Sequence, residues 1–406
     1  MRILQVIPRY EPAFGGDVLY FATLGAMLAA RGHTIRVVTT TAREVHSFYR
    51  KQRDELPTGV EVIGAVAVRR LRPVRLPFHR ALCRVGGALG IGSLRALRSY
   101  PGPLLPRLRA ALRQEPPMDL IHTGVLTYDT VLAAARDECS RRGIPLVVSP
   151  FLHLGEPYRG RGRMLTALQH GILGAARLVL AMTERERRCL IDEGLVAPRV
   201  RVLGVGCDPD AMADGDGDRF RSRRGIEGPI VLHPGTLTHD KGTPHLLEAM
   251  KLVWQWGEDA TLVLTGSLSP DFRQTLHTQP RWVLRRVRLA RFSAEEKADA
   301  FAAATVVVLP SRAESYGAVY LEGWAAGKPV IGAWAGGVPD VIDEGVDGFL
   351  VPFADSHRIA ECICVLLQNS DLARCMGERG REKVRTTCSW THRVASLERL
   401  LQELVC

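Results

Sequence analysis

Two glutamates, Glu314 and Glu322, stand in the stretch SRAESYGAVYLEGWAAGKPVIGAWAGGVPDVIDEG with seven residues between them. The preceding TVVVLPS reads as a buried strand that ends at Pro310. Ser315, Tyr316 and Gly317 then open a helical run, YGAVYLEGWAAG, which Gly327 closes. A helix mouth carries unpaired N–H groups and partial positive charge, which suits a phosphate. Gly317 lets the backbone approach such a group closely. Glu322 stands six positions after Tyr316, so the second acid lies about 9 Å along the axis from the helix mouth. That spacing is comparable with the distance from a diphosphate to the ribose of the same nucleotide. The chemistry these residues can do together is therefore to hold a sugar nucleotide. The diphosphate would lie on the helix mouth, Glu322 would accept from ribose hydroxyls, and Glu314 would accept from the transferred sugar. The plainer alternative is a capping acid at Glu314 and a surface acid at Glu322.

The elements around this stretch have one grammar. MRILQVI is a strand, PRYEPAFGG a Pro/Gly loop, DVLYFATLGAMLAARGH a helix ending at Gly32, and TIRVVTT the next strand. GVEVIGAVAV, DLIHTG, PLVVSPF and LVLAMT read as further strands. The grammar restarts in the second half with PIVLHPGTL, the helix HLLEAMKLVWQW, ATLVLTGSL, WVLRRVRLA, TVVVLPS, KPVIGAW and GFLVPF. Near-continuous apolar strands alternating with helices predict α/β architecture with sheets buried on both faces. The polar stretch GVGCDPDAMADGDGD separates the halves, with the boundary near residue 206. Two doubly wound domains then face each other across a cleft at their strand C-terminal ends. GALGIG, at 87–92, has no preceding strand, which disfavours a dinucleotide dehydrogenase.

The chain of 406 residues is 46% hydrophobic and 24% charged, as in soluble proteins with sizeable cores. No apolar run is long enough to span a bilayer, and the first residues lack a signal-peptide core. The nine cysteines are scattered without a paired CxxC pattern and read as reduced thiols in a cytoplasmic protein. The acids of DPD and DGDGD, at 208–218, sit in the linker and read as solvated, so no metal is expected. The formal charge of +11 has a local source: residues 65–114 hold eleven arginines and no Asp or Glu. Arginine interleaved with Leu, Val, Ile and Phe suits an anionic membrane surface or an anionic glycan, solvated helices being the alternative. Nothing points to nucleic acid, since no stacking platform or finger spacing is present.

The segment ESYGAVYLEGWAAGKPVIGAWAGGVPDVIDEGVDGFLV resembles the E-x7-E signature of retaining glycosyltransferase family 4, whose GT-B fold pairs two Rossmann-like domains. The likeness runs on through the Gly-Gly loop of PRYEPAFGGDVLYFATLG, through PLVVSPFLHLGEP, LAMTERERRCLIDEGL and LHPGTLTHDKGTPHLLEAM, and into CSWTHRVASLERLLQEL. It covers nearly the whole chain, with 45–118 the least typical part. It implies an N-terminal acceptor-side domain at 1–205, a nucleotide-sugar domain at 206–384, and a terminal helix at 385–406 that returns to the first domain. Lys241 matches the lysine that neutralises the donor diphosphate, and Gly15 and Gly16 the glycines that approach it. His153 matches the histidine facing the donor sugar. Glu314 would hold sugar hydroxyls, Glu322 the ribose, and the backbone of Ser315, Tyr316 and Gly317 the sugar or phosphate oxygens. The chain departs from the family at Thr236, where an arginine usually shares the diphosphate charge with the lysine. Arg291, Arg312 or an N-domain arginine are candidates to replace it. A second departure is Gly206-Cys207 before Asp208, in place of Asn-Gly.

The resemblance implies transfer of a sugar from a nucleotide donor to an acceptor hydroxyl with retention, without a metal or other cofactor. Closure of the two domains is expected to assemble the site, and the arginine-rich segment 65–114 on the acceptor side predicts an acceptor that is a glycan or lipid-linked, met at the inner face of the cell membrane in cell-surface polysaccharide or glycolipid synthesis. A sugar-nucleotide epimerase, a glycan phosphorylase and an inactive binder of the same fold are the alternatives.

Overall fold

The computed structural model describes residues 1–13, 15–51, 54–75, 102–154, 165–290 and 292–405. The first sheet comprises β1 (Arg2–Val6), β2 (Thr34–Thr40), β3 (Gly59–Ile63), β4 (Val66–Leu71), β5 (Leu120–Gly124), β6 (Leu146–Ser149), β7 (Leu178–Ala181) and β8 (Val200–Val202). Its order is β3-β4-β2-β1-β5-β6-β7-β8. Ile3 of β1 lies opposite Ile35 on one side and Leu120 on the other, both in parallel register. The second sheet comprises β9 (Ile230–Pro234), β10 (Thr261–Thr265), β11 (Val287–Ala290), β12 (Val306–Leu309), β13 (Val330–Ala333) and β14 (Gly348–Val351), in the order β11-β10-β9-β12-β13-β14. All its pairings are parallel. The central strands IVLHP and VVVL are buried along their whole length, as a sheet covered by helices on both faces requires.

Each sheet therefore has a place where successive strands depart in opposite directions. In the first it lies between β1 and β5, in the second between β9 and β12. Loops leaving neighbouring strands part there and open a crevice at the strand ends. Among the described residues, those singled out above for chemistry lie in loops at or next to one of these two places, apart from Gly16 at the start of its helix and Glu322 inside its own.

Two expected elements take a different form. GVEVIGAVAV is two antiparallel strands, β3 and β4, with Ile63 opposite Val66. Gly64, at φ 58°, supplies the left-handed residue that so tight a hairpin needs. In WVLRRVRLA a short helix, Arg281–Leu284, precedes the strand, which begins only at Val287.

The chain crosses between the sheets twice, and the two crossings are bonded together. Cys207 donates its N–H to the Cys388 carbonyl at 2.8 Å, and Trp390 donates to the Cys207 carbonyl at 3.1 Å. The Trp390 indole fills the space beside Gly206, where a Cβ would come within 2.6 Å of the ring. It also packs on Tyr20 of the first helix, Gly16–Ala30, at 6.1 Å between ring centroids. The last helix, Trp390–Val405, then runs along that first helix, where Glu398 binds Arg31 at 2.6 Å and His33 at 2.7 Å.

Candidate active site

The loop after β9 and the loop after β12 leave neighbouring strands and are pressed together. Gly242 caps the helix Thr243–Gln255 at φ 72°, and a Cβ there would lie 2.2 Å from the Pro310 carbonyl oxygen. This contact brings Lys241 to Glu314, 73 positions away, and the ammonium donates to Oε2 at 2.5 Å. Burial opposes the charge on Glu314. The pull of Lys241, by charge and by hydrogen bond, together with His153, outweighs it and holds the carboxyl below its ordinary range.

Glu314 leads into the helix Ala318–Ala325, which starts two residues later than the sequence suggested. Gly317 stands before it as a left-handed cap at φ 91°, and a Cβ there would strike the Tyr320 ring at 2.3 Å. The backbone N–H groups of Ser315, Tyr316 and Gly317 have no partner among the described residues. Three donors therefore stand open at the helix mouth, beside the Lys241–Glu314 pair. The Tyr316 side chain turns the other way, into the hinge, where Arg393 donates to its hydroxyl at 3.3 Å. Only the Tyr316 backbone is left to meet a ligand.

Glu322 lies four residues into the shortened helix, about 6 Å along the axis from its first residue instead of 9 Å from Tyr316. Its carboxylate accepts from Lys297 at 2.5 Å and borders a cavity of about 480 Å³ between the domains. Leu19 and Thr23 of the first helix, Asp208 of the linker and Trp390 line the other walls.

His153 arrives from the first domain. It follows β6 after Phe151, a non-glycine residue at φ 55°, whose ring is buried against Tyr20 at 5.0 Å. The His153 side chain is exposed to solvent, yet the protein around it is dense enough to desolvate the ring in part. Burial lowers its pKa, with Lys241 adding to the effect and Glu314 and Asp17 opposing it. Those influences place His153, Glu314, Lys241 and Asp17 within electrostatic reach of one another.

The glycine loop after β13 closes this cluster. A Cβ on Gly336 would fall 1.9 Å from the Glu314 carbonyl oxygen and 2.8 Å from that of Leu154. One on Gly337 would fall 2.2 Å from the Ser315 carbonyl and 2.7 Å from the Thr183 methyl. Both glycines are thus wedged between the two domains, a role their place in AGGVPD did not reveal. Gly15 is similarly crowded: Asp17 and Arg9, which bind each other at 2.8 Å, would both meet a Cβ there. Gly16 opens the first helix and faces empty space. The Arg9–Asp17 pair was not legible in the sequence, since nothing in the spacing marks two residues that meet across a Pro/Gly loop.

Thr236 is exposed at the start of the Lys241 loop. Of the arginines considered as substitutes for a missing guanidinium there, Arg312 is engaged with Asp240 at 2.7 Å, and Arg291 lies outside the described residues. Among the described residues no group of three His, Cys, Asp or Glu stands close enough to hold a metal.

The arrangement joins an ammonium, open backbone donors, a carboxylate and an imidazole at the meeting of two crevices. Two family models match it: one for glycosyl transferases group 1 over residues 228–369, and one for a glycosyl transferase 4-like domain over 15–206. The D-inositol 3-phosphate glycosyltransferase of Frankia alni is 30% identical over 386 residues, covering 87% of this chain and 86% of that relative. This chain belongs to glycosyltransferase family 4. A D-inositol 3-phosphate glycosyltransferase of Catenulispora acidiphila is 29% identical over 83% of this chain and 81% of its own length. In fold, the family 4 transferase matches HepE from Anabaena, solved with UDP and glucose, at a TM-score of 0.75 and 21% identity over 100% of both chains. The transferase therefore has the GT-B architecture and is a nucleotide-sugar-dependent glycosyltransferase of the hexosyltransferase type.

Proposed function

We propose that the transferase moves a hexosyl group from a UDP-sugar to an acceptor hydroxyl with retention of anomeric configuration. The observation that carries this reading is the Lys241–Glu314 pair beside the open N–H groups of Ser315, Tyr316 and Gly317. The diphosphate settles on those donors and draws Lys241 to it. A preorganised ammonium and backbone dipoles stabilise the charge that grows on the leaving group. Glu314, released from Lys241, takes the sugar hydroxyls, and Glu322 takes the ribose at the edge of the interdomain cavity. Gly15 and Gly16 approach the phosphates from the first domain. The bond from the anomeric carbon to the diphosphate oxygen breaks, the acceptor oxygen bonds to the same face, and the acceptor proton passes to the departing phosphate. Lys241 and the backbone donors meet the charge, so the proposed reaction uses no cofactor. UDP is favoured as carrier because HepE, of the same fold, was solved with it.

The acceptor in this reading is a glycan or lipid-linked hydroxyl, presented at the cytoplasmic membrane face during cell-surface polysaccharide or glycolipid synthesis. Part of the arginine-rich segment 65–114 serves the fold instead. Arg69 binds Glu115 at 2.6 Å, Arg75 binds Glu55 at 2.5 Å, Arg109 binds Asp137 at 2.7 Å, and Arg70 is buried on Glu61. Arg72, Arg107 and Arg113 are exposed and are the described residues of that segment available to an anionic surface.

Thermal shift against UDP-, GDP-, dTDP- and ADP-sugars tests the donor, repeated on Lys241→Ala and Glu322→Ala. A UDP-sugar should stabilise the wild type and lose its effect in both variants. NMR of the product anomeric centre should show retention. A product of unchanged mass would convert the reading to an epimerase. Activity only with added phosphate would make it a phosphorylase, and silence toward all four donors would make it an inactive binder.

A further inference from the structure

The loop that carries His153 is held by a buried acid that the reaction itself does not use. Glu186 stands in the first turn of the helix Glu184–Asp192 and is 1% exposed. One of its oxygens accepts the backbone N–H of Leu152 at 2.8 Å, and the other that of Met182 at 2.6 Å. Those N–H groups follow β6 and β7, neighbouring strands whose ends rim the cleft. Leu152 directly precedes His153. Thr183 completes the turn by accepting the N–H of Glu186 at 3.2 Å.

A helix needs no buried carboxylate at this place for its own sake, since Thr183 already caps it. Burial raises the Glu186 carboxyl to about 7, while the two N–H bonds act in the opposite direction. Burying an acid without a cation beside it is costly, and here both oxygens are committed to two cleft loops. Phe151, at a left-handed φ that non-glycine residues seldom adopt, sets the turn on the other side of Leu152. The same helical turn also touches the opposite domain. Arg185 donates its N–H to Asp340 at 2.6 Å and its guanidinium at 3.0 Å, and the Thr183 methyl meets Gly337.

We propose that Glu186 is a positioning residue for glycosyl transfer: its carboxylate fixes the Leu152 backbone and thereby aims His153 at the donor sugar. The inference rests on the reading of His153 as the group facing that sugar. Misplacement of such a group by about 1 Å costs on the order of 100-fold in rate. Glu186→Gln keeps the shape but turns an NH2 toward one of the two backbone donors, and Glu186→Asp keeps the charge but shortens the reach.

Steady-state kinetics of Glu186→Gln, Glu186→Asp, His153→Ala and the Glu186→Gln/His153→Ala double variant, with the His153 ring followed by NMR, test it. Glu186→Gln should lower kcat by about 10- to 100-fold with the donor KM little changed, and should shift the His153 ring resonances. In the double variant kcat should fall no further than in His153→Ala alone, as residues acting through one group require. Should the Gln variant not fold, Glu186→Asp carries the same expectations. Wild-type kcat in a folded Glu186 variant, or losses that multiply in the double variant, overturn the proposal while leaving His153 in place. Wild-type kcat in His153→Ala overturns the reading of His153 and this proposal with it.

Discussion

Lys241 and Glu314 hold each other before any donor arrives, so each is the other's competitor for the ligand. Replacing Glu314 by Gln removes that competition. UDP should then bind about 10- to 150-fold more tightly by calorimetry, since a charge-assisted bond worth about 1.5–3 kcal/mol no longer has to be exchanged. Transfer should fall by about 100-fold or more, because the sugar hydroxyls lose their charged acceptor and meet an amide in its place. Lys241→Ala should lose UDP affinity and kcat together, and an unchanged affinity would place the diphosphate elsewhere. The same pair has a pH signature. The folded Glu314 carboxyl lies below its ordinary 4.5, so its contribution to stability is present above that value and is lost as pH falls through the lower folded one. Melting temperatures measured from about pH 6 to pH 3 should fall less steeply in Glu314→Gln than in the wild type.

At the scale of elements, glycines decide how closely the loops of neighbouring strands approach. Gly242→Ala would place a methyl against the Pro310 carbonyl at a left-handed φ and should destabilise the fold by about 1–3 kcal/mol in urea unfolding. Gly16→Ala meets open space and should leave stability unchanged. If phosphate lies on that backbone, the donor KM should nevertheless rise. The parallel strands and their order of appearance were legible, because apolar runs bounded by Gly and Pro mark buried strands. Motifs that keep residue type and spacing also marked Lys241, Glu314, Glu322 and His153 as candidates, and the fold brings Lys241 and Glu314 into contact. The late start of the helix after Gly317 was not legible, because Tyr316 continues the apolar pattern while its ring is drawn into the hinge by Arg393. The β3–β4 hairpin was hidden for a similar reason: both strands share one period-two alternation that runs through the turn at Gly64. Lys297 beneath Glu322, and Arg9 with Asp17, belong to tertiary pairing, on which a sequence pattern has no hold.

At the scale of the whole molecule, the two domains meet at Arg185–Asp340, at the Gly336–Gly337 wedge and along the last helix. Arg185 is half exposed, so its pair contributes no more than about 1 kcal/mol. Asp340→Asn should therefore lower kcat/KM by less than about 5-fold, and the deficit should shrink at high salt as screening removes the wild-type advantage. A larger, salt-independent loss would mean that Asp340 touches a substrate. The last helix has a further consequence, one of timing. Glu398 and the apolar residues Val394, Leu397 and Leu401 cover part of the domain that the ribosome makes first. That strip stays uncovered for as long as the second domain is being synthesised, about ten to forty seconds at an elongation rate of about 5–20 residues per second. The newborn first domain therefore spends that interval with a sticky face and an incomplete hinge, and a chain cut short before residue 390 never leaves that state.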